Sequence, residues 1–417
     1  MTQTKENPHK WLFKARFRRN AFGWRPQPAI GRIREAVSEI KRVARTDKVL
    51  AAEGAVSFLE RLSPALAQVD SSSGAIGNAV FKAIEQLVPI IAAAPADPRT
   101  REGWLERLFQ AHGEDRMPYI EELAEYWGEL CADPRLASTW ADRLLEMTRR
   151  VLHPAEPGFH FFHGTSACLS ALYAAGRQDE LIELLEGVNF WPYARWAVKA
   201  LAAQGRKAEA VRRAEMCRGT GAGDVAIDRA CEEILLSSGM LEEAYRRYGL
   251  VANRRGTYLA WFRAVLQKYP HKSPTEVLGD LVALTPGHEG KWFAAAKDAG
   301  LFQEAAVLAN RSPCSPQTLA RAARDFADTN PGFAVQAGMA ALRWMVEGFG
   351  YDITSLEVLD AYFHTMKAAR NLGEEKPVQD HIRNLVAKET LKDRFVTRVL
   401  APHLGISPGS DPHKIFS

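Results

Sequence analysis

Apolar residues recur along this chain at spacings of three and four, the period of an amphipathic helix. From Ala29 to about Arg45, Ile30, Ile33, Val37, Ile40 and Val43 mark one apolar face, with Arg32, Arg34, Lys41 and Arg42 among the polar positions. Pro26 and Pro28 read as a break ahead of it. Asp47 is placed to cap a second helix over 48–69, interrupted near Ser63-Pro64. After the loop at Ser71–Gly74, Ala79, Ile84, Leu87, Val88 and Ile91 predict a more continuously apolar helix, kinked at Pro89 and ended by Pro95-Ala-Asp-Pro98. Further helices are predicted around 100–112, 117–132 and 135–152. The loop His153-Pro-Ala-Glu-Pro-Gly158 cannot continue either neighbour and is the predicted domain boundary.

Beyond that loop one pattern appears four times: a glycine, three variable residues, a glutamate, then a small or apolar residue. The copies begin at Gly176, Gly205, Gly239 and Gly300, each between two apolar-periodic stretches, and place Glu180, Glu209, Glu243 and Glu304 at the fifth position. Their spacings are 29, 34 and 61 residues, the last about two periods. A glycine closing one helix can take the left-handed conformation without a Cβ penalty. The glutamate then meets the positive end of the next helix, and the small residue beside it allows close approach of the pair, about 8–10 Å. Such self-similarity predicts a helical repeat array. Near 257–284 a hairpin keeps the periodicity without the turn motif. Helices at 332–349 and 355–371 follow, then a turn at Gly373 that departs from the pattern at Pro377. The end, Pro402 to Ser417, is rich in Pro, Gly and Ser and is expected to be flexible.

The turn resembles the inter-helix turn of tetratricopeptide repeats, whose consensus also places Glu-Ala four and five residues after a glycine. The resemblance covers roughly a third of the chain, between Leu169 and Asn310. It departs from the family where Leu169, Val198, Glu232 and Phe293 replace a glycine seven positions before the turn, and where the repeat-ending proline is absent. The whole chain also resembles bacterial helical-repeat proteins. The implied fold class is all-α: a basic aromatic segment (1–28) and an N-terminal helical bundle (29–153) come first. A right-handed α-solenoid of degenerate tetratricopeptide-like hairpins (154–390) follows, then a helix end and tail (391–417).

Composition changes this picture in two places. With 47% hydrophobic and 25% charged residues, most of the 417-residue chain should fold. The formal charge of +4 divides unevenly: residues 1–50 carry +9 and the rest −5. A basic head suggests an anionic partner or contact with the chain's own body. The five scattered cysteines include no CxxC pair and read as reduced thiols of a cytoplasmic protein. No run of about 18 apolar residues stands out as a membrane span.

Candidate chemistry is sparse. In the head, Lys10, Lys14, Arg16, Arg18, Arg19 and Arg25 alternate with Trp11, Phe13, Phe17, Phe22 and Trp24. Cations neutralise phosphates and aromatic faces stack on unpaired bases, so nucleic acid is one expected partner. The plainer expectation is that the aromatics dock on the first helices while the cations stay solvated. His153, Glu156, His160, His163 and Cys168 are the densest possible metal ligands, but their spacing fits no zinc motif and no metal is expected. Gly219-Thr-Gly-Ala-Gly223 follows a helix rather than a strand and reads as a loop. The phosphate loop, HExxH, nucleophile-elbow and Rossmann signatures are all missing, so neither an enzyme nor a cofactor is expected.

The resemblance implies a concave groove lined by the first helix of each hairpin. Counting back from the turn glycines gives His163, Ser166, Ser170, Tyr173, Arg195, Lys199, Arg229, Glu233, Ser237 and Lys297. The expectation is a protein- or peptide-binding scaffold. Its partner would be an acidic or carboxylate-ended peptide held by Arg195, Lys199 and Arg229.

Overall fold

The computed structural model describes residues 9–154, 161–219, 223–350, 352–390 and 394–406. Among them every regular element is helical. The chain divides into two compact units, 1–238 and 239–417.

In the first unit Glu39 holds the first described helix in place. Buried on the Pro26–Val43 helix, it accepts the amides of Leu12 (2.8 Å) and Phe13 (3.3 Å), which head the short Leu12–Arg16 helix. This pins Trp11, Phe13 and Phe17 into the core, where Phe13 and Phe17 pack against Phe58. The plainer expectation for these aromatics is met. The Pro26–Val43 helix starts at the two prolines read as a break, because a first-turn N–H has no intrahelical partner to lose. Asp47 caps Lys48–Leu66 through the Leu50 amide, as expected, and that helix runs through Pro64 in its last turn.

Ala75–Ala92 is long and apolar enough by composition to cross a membrane, a candidate that the apolar-run reading passed over. Its Ile76, Val80, Ile84, Leu87, Val88 and Ile91 are buried against Pro26–Val43 and Lys48–Leu66. Buried Arg101, on Pro98–Gly113, donates to the carbonyls of Ile91, Ala92 and Ala94 and to that of Leu130, serving the C-terminal ends of two helices. The predicted 117–132 helix is a 3-10 stretch, Glu121–Tyr126, leading into Trp127–Cys131.

Pro134–Leu152 packs directly on Thr165–Ala174, and one apolar core runs from Trp11 to Ala200. That core includes residues on both sides of 153, and the division between the two units falls at 238/239. Thr165–Ala174, Gln178–Leu184, Trp191–Ala203, Lys207–Glu215 and Asp224–Leu236 complete the first unit, each packed on the next as far as these pairs fall inside it. Thr165–Ala174 also touches Trp191–Ala203, two elements on.

The second unit opens with a continuous helical run, Leu241–Ala244, Tyr245–Gly249 and Leu250–Ala252, whose middle part is a π-turn. Gly249 admits the buried Tyr269 ring, which a Cβ would meet at 2.8 Å. Tyr258–Lys268 and Pro274–Leu284 form the hairpin expected near 257–284. Glu289–Trp292, Phe293–Asp298, Phe302–Arg311 and Pro316–Phe326 lead to Pro331–Val346, which packs on Phe302–Arg311, Pro316–Phe326 and Ser355–Leu372. Glu375–Val386 and Phe395–Leu404 close the unit. Pro402 lies within that last helix, so the expected flexible end does not begin there; residues 407–417 lie outside the described residues.

All four repeated glycines take positive φ, between 74° and 78°. At Gly176, Gly205 and Gly300 the two hydrogen bonds of a left-handed C-cap follow, as in Arg177 N–H to Leu172 O and Arg206 N–H to Leu201 O. The glutamates fall in the first turns that follow, and Leu181, Ala210, Ala244 and Ala305 are fully buried.

Candidate functional site

The residues counted onto the groove do not form one surface. Ser170 is buried: its hydroxyl donates to the Glu125 carbonyl (2.9 Å) and accepts the Gly128 amide (3.0 Å). It ties Thr165–Ala174 to the Trp127–Cys131 helix, where a Cβ at Gly128 would meet the Ser170 carbonyl at 2.4 Å. Tyr173 is half-buried against Trp196. Arg229, Glu233 and Ser237 are exposed, and the Ser237 carbonyl accepts from Lys207. Lys297 belongs to the second unit, its ammonium 5.8 Å from the Phe326 ring centroid.

His163, Ser166 and Arg195 do come together, in a cleft of about 450 Å³ within the first unit. The 3-10 stretch brings Glu121, Glu122 and Glu125 to it, and the start of the Trp191–Ala203 helix brings Phe190, Tyr193 and Arg195. The Arg195 guanidinium is paired with the Glu125 carboxylate, to which the Ser166 hydroxyl also hydrogen-bonds. Burial pushes the Glu125 pKa above its ordinary value, against the downward pull of Arg195. Lys199 stands with its ammonium 4.5 Å from the Trp196 ring. Lost hydration and then Arg195 hold its pKa below the usual lysine value, opposed by Glu125 and Glu233. His163 packs on Phe109 and Phe162 and beside His112; burial lowers both imidazoles, and His163 adds to the effect on His112.

The expected basic groove is thus locally acidic, with three carboxylates around one arginine that is already engaged. Phe190, 53% exposed, and Tyr193 add aromatic walls. Glu121 and Glu122 are both exposed, at the rim of the cleft. Nothing in the periodicity marked Glu125, whose partner lies 70 residues further on.

The possible metal ligands are dispersed. His153 hydrogen-bonds the Leu184 carbonyl (2.8 Å), Cys168 contacts the Ala141 carbonyl, and Glu156 and His160 lie outside the described residues. Residues 220–222 of the glycine-rich loop do too. All five cysteines are buried, and desolvation pushes the Cys131 and Cys314 thiols up to about 12.

In the head, Lys10, Lys14, Arg16, Arg18, Arg19 and Arg25 are exposed, and Arg16 pairs with Glu35. Trp11, Phe13 and Phe17 are committed to the core, which removes them from the stacking role expected beside these cations.

Compared with known proteins, the chain matches no family model, no curated protein and no solved structure.

Proposed function

We propose that this chain is a non-catalytic, peptide- or protein-binding scaffold whose residues 165–236 stack as tetratricopeptide-like hairpins. The support for stacking is local. Left-handed glycines close successive helices, and Thr165–Ala174 touches both its own partner and the first helix of the next pair. The partner contacts the cleft around Glu125 and Arg195. The observation that carries this reading is the excess of carboxylate over cation in an aromatic-walled cleft.

That excess reverses the charge expected of the partner. A lysine or arginine side chain gains from Glu121 and Glu122 at the rim and from the faces of Phe190 and Tyr193. An acidic peptide meets an arginine already neutralised by Glu125.

Fluorescence anisotropy with matched basic-apolar, acidic-apolar and neutral peptides tests the reading. The basic peptide should be retained, and the Glu121→Gln/Glu122→Gln variant should weaken it about tenfold, the sum of two exposed charge contacts. Retention of the acidic peptide instead, lost in an Arg195→Ala/Lys199→Ala/Arg229→Ala variant, would restore the basic-groove reading.

A further inference from the structure

Two adjoining clefts on the N-terminal helices are walled by cations, and the peptide reading uses neither. The first, about 560 Å³, runs between Pro26–Val43 and Ala75–Ala92, with Arg34 and Lys41 on one wall and Lys82 on the other. No carboxylate is among the residues lining it. The second, about 410 Å³, is lined by Arg16, Arg32, Arg34 and Arg42. Arg34 and Ser38 line both, so the two share a wall.

The second cleft contains two carboxylates, and the fold has engaged each. Glu39 is buried and accepts the Leu12 and Phe13 amides. Glu35 is shared by Arg16 and Arg32. Lys41 donates to the Gln86 amide oxygen (2.6 Å), a neutral partner that leaves its charge in place. Six cations therefore face one solvent-accessible carboxylate across the pair of clefts.

The floor of the first cleft argues against an apolar partner. Ile30, Ile33 and Val37 are buried and offer little surface to an amphipathic helix or a bilayer, and the second cleft adds one exposed apolar side chain, Leu12. What fits is a thread of regularly spaced single charges lying between cationic walls. We propose that these clefts bind the phosphodiester backbone of a nucleic acid without reading its sequence. The core position of Trp11, Phe13 and Phe17 leaves Trp24, 71% exposed, as the head's free aromatic face, so backbone charge and not base stacking supplies the affinity.

The test uses the full chain and an Arg34→Gln/Lys41→Gln/Lys82→Gln variant, with labelled mixed-sequence single-stranded and duplex oligonucleotides from about 50 to 200 mM salt. Wild type should bind both, more weakly as salt rises. Each lost phosphate contact removes about 0.7–0.9 from the slope of log K against log salt, so the variant's slope should shrink by about 2–3. Its melting temperature should not change, and Trp24→Ala should leave duplex binding unaltered. No retention at the lowest salt, or an unchanged slope in the variant, would overturn the proposal. Retention by phosphatidylserine vesicles with none by oligonucleotides would overturn it in favour of a membrane surface.

Discussion

A glycine inside a helix ordinarily costs about 0.5–1 kcal/mol relative to alanine, through the backbone entropy lost on folding. Gly103 and Gly338 both sit inside helices, yet the structure gives their replacement opposite signs. A Cβ at Gly103, on Pro98–Gly113, meets nothing within 4 Å. At Gly338, on Pro331–Val346, it would stand 1.8 Å from the Thr365 hydroxyl. Thr365 is fully buried and donates to the Ala361 carbonyl (2.6 Å), so it cannot swing clear without giving up a buried hydrogen bond. Gly103→Ala should therefore stabilise by about 0.5–1 kcal/mol and Gly338→Ala should destabilise by about 1–3 kcal/mol in urea unfolding. A Gly338→Ala variant as stable as wild type would show that the two helices do not approach this closely.

Between elements, the turn is the unit that sequence made legible. The repeated glycine, the acidic first turn and the buried small residue each have a local cause, so each appears in the structure where the pattern placed it. Gly205 has open space where a Cβ would go, so Gly205→Ala tests backbone handedness alone. It should cost about 1–2 kcal/mol. Ala210→Leu should cost about 1–3 kcal/mol by overpacking a fully buried position. If thermal melts show neither loss, the hairpin register is wrong. What escaped the sequence depends on distant neighbours. The 3-10 stretch at 121–126 and the π-turn at 245–249 are tertiary outcomes that periodicity does not encode. Register counting aimed Ser170 at a groove, whereas the close approach of Gly128 turns it into a buried bridge. The sequence marks Arg195 as a candidate, but its pairing with Glu125 is not legible there.

Across the whole molecule, proton linkage joins these local environments to stability. Among the described residues, His112 and His163 in the first unit and His364 in the second have imidazoles lowered from 6.5, each chiefly by desolvation. His163 adds its charge to the effect on His112, and Arg324 and Lys367 add theirs at His364, where Asp360 opposes. As pH falls through 6.5 the unfolded chain takes up these protons before the folded chain does. Stability is therefore lost from that point downward, until the folded-state values are passed. Glu125 and Asp115 act in the other direction, because burial raises them from 4.5 and 3.8 and the folded chain protonates first. Their gain comes as pH approaches the carboxylate range, below the start of the imidazole loss. The melting temperature should accordingly drop from about pH 7.5 to about pH 5.5. His163→Gln removes one of the lowered imidazoles and relieves His112, so its drop should be smaller than that of wild type. An equal drop in both proteins would mean that His163 protonates alike in the folded and unfolded chains, and that the cleft leaves it hydrated.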